Sequence, residues 1–257
     1  MAADFRLRQI AFVSDDCERV ARDIERVFGA VVAYRDPLII HYGLRNVVIP
    51  IGRDFIEVVE PVAPDASAGR YLARRGGEGG YMVILQSADA EAHRLRLEAQ
   101  DAPVVDVLES ERHLATHFHP RAFGGVLASI DSSPGVANWR DADSDWDPAG
   151  PHWQAAKAGD AIGIADVTIQ GADPHAVAAA WSQMLDAPIA PGGGIELLNG
   201  AVVRFAPPQD AFGSGIAGLA IAVRDPAASL DRARDAYLPV TGDVVVLCGT
   251  PVRIVPA

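Results

Sequence analysis

What most restricts the fold of this chain is that it repeats itself. Four short apolar runs each lead into an acidic turn and then a helical pattern: QIAFVSDD (9–16), YMVILQSAD (81–89), DVTIQGADP (166–174) and GLAIAVRDP (218–226). Length and β-branched content make each run a strand. The Asp or Ser behind it is suited to cap a helix, accepting hydrogen bonds from the first free N–H groups. After the first run, Val20, Ile24, Val27 and Phe28 recur at helical spacing and Gly29 supplies the stop. After the third, Val177, Trp181, Met184 and Leu185 repeat the pattern. The second and fourth helical segments, AEAHRLRLEAQDAP and PAASLDRARDAYLP, are more polar and both end at proline. The units therefore alternate in an ABAB order.

Strand-like runs follow each helix. The first unit has VVAY, LIIHY, NVVIPI and FIEVVEP, and the second VVDVL, HLATHFH and VLASIDS. The third has IELLNG and AVVRFAPP, and the fourth DVVVLC and PVRIVPA. The expected class is α+β, with four βαβββ repeats arranged as a first domain over 1–132 and a second, shorter one over 161–257. The 133–160 segment between them is rich in Asp and Pro and holds Trp139, Trp146 and Trp153, three of the four tryptophans. A flexible linker is poor in aromatics. This one is read as an ordered connector packed on the domains, with a lid over a pocket as the alternative.

Charge narrows the function classes. With 22 Lys and Arg against 34 Asp and Glu, the net charge is −12. No basic face is available for nucleic acid, and an acidic surface disfavours anionic membranes. The densest basic group, Arg70, Arg74 and Arg75, reads as a solvated helix end. The N-terminal stretch lacks the apolar core of a signal peptide, and no run reaches the roughly 18–20 apolar residues of a membrane span. Cys17 and Cys248 make no metal-ligand spacing and are expected as reduced thiols, with the cytoplasm as the default compartment.

A βαβββ unit repeated in pairs resembles the vicinal-oxygen-chelate superfamily, which includes glyoxalase I, methylmalonyl-CoA epimerase, extradiol dioxygenases and bleomycin-resistance-like proteins. The segments IPIGRDFIEVVEPVAPDASAGRYLARRGGEGGYMVIL and HFHPRAFGGVLASID are similar in order to the epimerase-like branch. The resemblance implies two half-open β-barrels in one chain, with a divalent metal and a substrate's oxygen atoms held in the cavity. The implied ligand positions fall on Gln9, Glu57, Met82 and Ser129 in the first half, and on Asp166, Arg204, Gly218 and Arg253 in the second. A thioether, a neutral hydroxyl and two arginines are poor partners for a hard cation. The cofactor expected is accordingly none, or a weakly held divalent metal with Gln9, Glu57, His117 and His119 as its weak candidate ligands.

Several residues keep chemical potential. HLATHFHP contains His117 and His119, which share a face of a regular strand and have Asp131 or Glu57 as neighbouring carboxylates. Glu57 lies mid-strand among apolar residues, suited to general acid/base work. Glu60 belongs to the opposite face and reads as a solvent residue. His41, Tyr42 and Arg45 are expected on a strand opposite Glu57, Arg45 as a clamp for a carboxylate or phosphate. Tyr81 is placed to donate to a substrate oxygen, and Ser129 and Asp131 complete the expected binding set. His93, His152 and His175 read as surface residues. GEGG, ending at Gly80, and PGGG (191–194) are turns, since neither opens a helix with a phosphate loop's Lys-Ser/Thr. The expected partner is a small molecule, with a homodimer as one compatible assembly. Two functions compete: an isomerase, epimerase or lyase acting beside a carbonyl, with Glu57, His117 and His119 as catalytic groups, and a non-catalytic binder or resistance protein. An extradiol-type dioxygenase comes third.

Overall fold

In the computed structural model, which describes residues 3–157 and 159–257, four apolar strands each run into a helix opened by an aspartate. Met1 and Ala2 of the N-terminal stretch and Ala158 of the connector lie outside the described residues. The first unit is β1 (Arg6–Val13), α1 (Cys17–Phe28), β2 (Leu44–Ile51) and β3 (Asp54–Pro61), followed by α2 (Ser67–Arg75). The second is β4 (Gly79–Gln86), α3 (Ala90–Glu98), β5 (Val104–Glu109), β6 (Leu114–Phe118) and β7 (Leu127–Ser132). The third is β8 (Ala161–Gln170), α4 (Pro174–Leu185), β9 (Ile195–Glu196) and β10 (Val202–Ala206). The fourth is β11 (Gly215–Val223), α5 (Pro226–Asp235), β12 (Val240–Thr241), β13 (Val244–Leu247) and β14 (Thr250–Pro256).

The capping is local and uniform. Asp16, Asp89, Asp173 and Asp225 accept from the backbone N–H three residues on, at Arg19, Ala92, Ala176 and Ala228, over 2.8, 3.0, 3.1 and 3.0 Å. Asp225→Ala should therefore cost about 1 kcal/mol of stability, read from the urea midpoint.

The strands form two mixed, seven-stranded sheets, in the orders β2-β3-β1-β4-β7-β6-β5 and β12-β13-β14-β11-β8-β10-β9. In the second, third and fourth units the last strand returns to lie parallel beside the strand that opened the unit: β7 on β4, β10 on β8, β14 on β11. By contrast, β2 pairs with β3, and β6 with β7, in antiparallel fashion.

Two expected strands do not form. VVAY contributes only an isolated bridge from Tyr34 to Val48. LIIHY lies in a 3₁₀-helix over Pro37–Tyr42. Local chemistry overrides its β-branched content: Asp36 accepts from the Leu38 N–H, Pro37 fixes φ for a helical start, and Gly43 closes the turn at φ 68°.

The chain divides into two compact units. One comprises the residues up to Gln9, Tyr81–Asp147 and Asp166–Ala217. Its core includes Trp181, which donates from its indole N–H to the Phe123 carbonyl at 3.0 Å and meets that ring edge-on at 4.9 Å. The other comprises Ile10–Gly80, Pro148–Ala165 and Gly218–Ala257. There α1 buries Val20, Ile24, Val27 and Phe28, and Arg232 donates to the Val27 carbonyl at 2.9 Å. Among the described residues, no helix is long and apolar enough to cross a membrane.

Candidate functional site

Strand β7 brings Ser129 and Asp131 to one face, because side chains alternate with period two. Cross-strand register puts His117 opposite Ser129 and Ala115 opposite Asp131, so the odd-numbered residues of β6 join that face. His113, one residue before β6, continues it: its Nε2 lies 3.1 Å from Asp131 Oδ2. The Ser129 hydroxyl donates to the other Asp131 oxygen and lies 3.2 Å from the Thr116 carbonyl. Asp131 is 3% exposed. Burial lowers the pKa of His117, while Asp131 and Asp106 pull it upward and His113 adds to the lowering.

The connector covers this cluster. Trp146, 1% exposed, donates from its indole N–H to Gln9 Oε1 at 2.8 Å. Its ring stands edge-on to His113 at 5.3 Å, and the Arg8 guanidinium carbon lies 5.5 Å from its centroid. Arg8 donates to the Ser144 carbonyl at 2.8 Å, and Arg6 to the carbonyls of Trp139 and Asp141 at 3.0 and 2.8 Å. Both arginines are buried. His113 Nδ1, also buried, has no hydrogen-bond partner among the described residues.

The remaining expected site residues fall elsewhere. His119 leaves the face of His117: β6 ends at Phe118, and His119 caps a 3₁₀-helix that begins at Pro120, its Nδ1 accepting from the Arg121 N–H at 3.2 Å. The proline fixes an extended backbone at the residue before it and stops the alternation on which the pairing depended. His41 and Tyr42 are exposed in the 3₁₀-helix rather than on a strand. Arg45 lies on β2 opposite Glu60, 2.6 Å from its carboxylate, and the register places that pair on the face away from Glu57. Glu60 is buried, not solvated: burial alone would raise its pKa, but Arg45 and the Cys17 N–H outweigh this and hold it below the usual range. By parity on β4, Tyr81 falls on the face opposite Ser129. Glu57, 8% exposed on β3, accepts from Asn46 Nδ2 at 2.6 Å, and Asn46 in turn accepts from the Asp36 N–H at 2.8 Å. His93 packs on Phe5 at 4.5 Å between ring centroids instead of lying free on the surface.

The residues at the implied metal positions do not fit a divalent cation. Gln9 Oε1 accepts the Trp146 indole N–H, the Ser129 hydroxyl is a donor to Asp131, and Met82 offers a thioether. In the second half, Arg204 fills the role of a counter-ion, its Nε 3.0 Å from Asp166. Neither thiol is a nucleophile at neutral pH, because burial pushes Cys17 up to about 12 and raises Cys248 as well.

His113, Trp146 and Arg8 are the residues that sequence reasoning missed. A signal for His113 was present, since it shares parity with His117 and Asp131. No local signal marks Trp146, which reaches a partner 137 residues away.

A family model described as a glyoxalase-like domain matches residues 9–185, more than half of the chain. No curated protein matches. Among solved structures, a triple variant of 4-hydroxymandelate synthase from Streptomyces coelicolor is 17% identical at a TM-score of 0.67, covering 93% of this chain and 76% of that one. A variant of Streptomyces coelicolor methylmalonyl-CoA epimerase, solved with 2-nitronate-propionyl-CoA, is 19% identical at 0.47, covering 52% of this chain and 97% of that one. The Mycobacterium tuberculosis methylmalonyl-CoA epimerase is 18% identical at 0.45, covering 52% and 91%.

Proposed function

The chain belongs to the glyoxalase-like domain family, and on that premise we propose that it is an enzyme of small oxygenated acids, thioesters or aldehydes that moves a proton at the carbon beside the carbonyl. The observation that supports this reading most is the His113–Asp131 pair. A carboxylate only accepts, so in the neutral ring Nε2 carries the hydrogen toward Asp131 and Nδ1 carries the lone pair. Nδ1 is buried and has no hydrogen-bond partner among the described residues. His113 is the general base: Nδ1 takes the proton from carbon, the electron pair moves onto the carbonyl oxygen, and Asp131 stabilises the imidazolium. Returning the proton to the opposite face of that carbon gives epimerisation, and delivering it to the adjacent carbon gives isomerisation. Collapse of the electron pair to a C=C bond with loss of a β-substituent gives a lyase reaction. Two free thiols suit a cytoplasmic setting.

A second reading, a non-catalytic binder, is favoured by the connector's cover over Gln9 and His113. Proton–deuterium exchange at the α-carbon of 2-oxo acids, aldehydes and acyl thioesters, followed by NMR, separates the two. Exchange by the wild type should fall at least about 10²-fold in His113→Gln and persist in Arg204→Ala. Exchange lost instead in Glu57→Gln would move the base to Glu57. Ligand binding with no exchange in the wild type would leave the binder.

A further inference from the structure

We propose that Gln86 binds the substrate's carbonyl oxygen at the His113–Asp131 site and holds the charge that gathers there when the α-proton leaves. The inference deepens the function proposed above and rests on it. Gln86 closes β4 in register with Asp131 on β7, so the two side chains share the face that carries Ser129 and His117. Asp131 thus stands between two polar groups, Gln86 on one side and His113, just before β6, on the other. Gln86 is 0% exposed. Its Nε2 lies 3.3 Å from Ser133 Oγ, and its Oε1 is buried with no hydrogen-bond partner among the described residues. A hydroxyl donates as well as accepts, so Ser133 can serve whichever end of the amide faces it. One end is left over in either orientation.

Gln170 occupies the same place in the third unit: it stands three residues before the helix cap Asp173, as Gln86 stands three before Asp89. The next backbone N–H bonds to the parallel neighbour in both, Ser87 to the Asp131 carbonyl at 2.8 Å and Gly171 to the Ala206 carbonyl at 3.1 Å. Gln170 is equally buried, but both its ends are served. Its Nε2 donates to Asp210 Oδ1 at 2.7 Å, and its Oε1 accepts from the Gln209 N–H at 2.6 Å. The residue paired with Gln170 is Ala206, whereas the one paired with Gln86 is Asp131, the partner of His113. An unserved buried amide costs stability, and such departures from local rules belong where a site needs them. The chemistry fits. When His113 Nδ1 takes the α-proton, the C–H electron pair forms a C=C bond and the carbonyl π pair moves onto oxygen. Gln86 Nε2 donates to that oxygen while the Ser133 hydroxyl donates to Oε1, and the bond to oxygen strengthens as negative charge develops.

Pyruvate, propanal and S-propionyl-N-acetylcysteamine, each isotope-labelled at the carbonyl carbon, serve as probes of the whole protein. Isotope-edited infrared spectra read the bound carbonyl, α-proton exchange reads turnover, and thermal melts read stability. At least one probe should show a carbonyl band lowered in frequency on binding, a shift that Gln86→Met abolishes. The same substitution should slow exchange about 10²-fold, the effect of losing one donor to a developing oxyanion. It keeps the side chain's shape and removes an unserved group, so the protein should melt within about 2 °C of the wild type. Gln170→Met breaks bonds at both ends of a served amide and should melt lower by about 3–6 °C. Gln86 is excluded as the oxygen's partner if no probe's band shifts in the wild type, or if the shift or the exchange survives in Gln86→Met. A Gln86→Met protein that melts as low as Gln170→Met excludes it too, since the amide is then structural. A band shift lost in Gln86→Met, with no exchange in the wild type, would keep Gln86 as an oxygen-binding group and remove the enzyme reading. Exchange that Gln86→Met leaves intact would do the reverse.

Discussion

Asp131→Asn is expected to lower proton exchange by about 10²–10⁴-fold while the protein keeps its melting temperature. The substitution is nearly isosteric, and an asparagine oriented with its oxygen toward His113 Nε2 presents its NH₂ to Ser129 Oγ. A hydroxyl can accept as well as donate, so the Ser129 contact survives the change. What disappears is the negative charge. Asp131 is buried on β7 beside a ring that is itself half-buried, so no water replaces that charge when the imidazolium forms. Exchange rates measured alongside thermal melts decide the matter. Wild-type exchange in a well-folded Asp131→Asn protein would reduce the pair to a structural hydrogen bond.

The parts of this fold that were legible in the sequence are those governed by local chemistry. Each apolar run became a strand, and the aspartate behind it capped a helix, because strand alternation and capping act within a few residues. The errors have equally local causes. LIIHY has a strand's composition, but Asp36, Pro37 and Gly43 at its ends favour a 3₁₀-helix. His117 and His119 have the right spacing for one face, but Pro120 ends the strand between them. The site eluded the sequence for a different reason. Arg8 meets Ser144 across 136 residues and Gln9 meets Trp146 across 137, and no period within a window reports such contacts. The tryptophan-rich composition of 133–160 indicated packing but not the side chains it would cover.

The connector's later stretch carries the other large expected effect. Trp153→Ala should cost about 3–5 kcal/mol of unfolding free energy, the range for emptying a buried aromatic position. The indole is 1% exposed and stands edge-on to Phe55 at 4.8 Å between centroids. Phe55 and Glu57 share a face of β3, so the ring lies on the side of the strand that carries the Glu57–Asn46 hydrogen bond. Removing it forfeits apolar burial, the edge-to-face contact of about 0.5–1.5 kcal/mol, and the exclusion of water from that face. Trp153→Phe keeps an aromatic edge and a smaller void, so its loss should be distinctly less. Urea unfolding at constant slope measures both. A loss below about 1 kcal/mol in Trp153→Ala, the size of an ordinary surface change, would mean that this stretch lies on the unit's surface without completing its core.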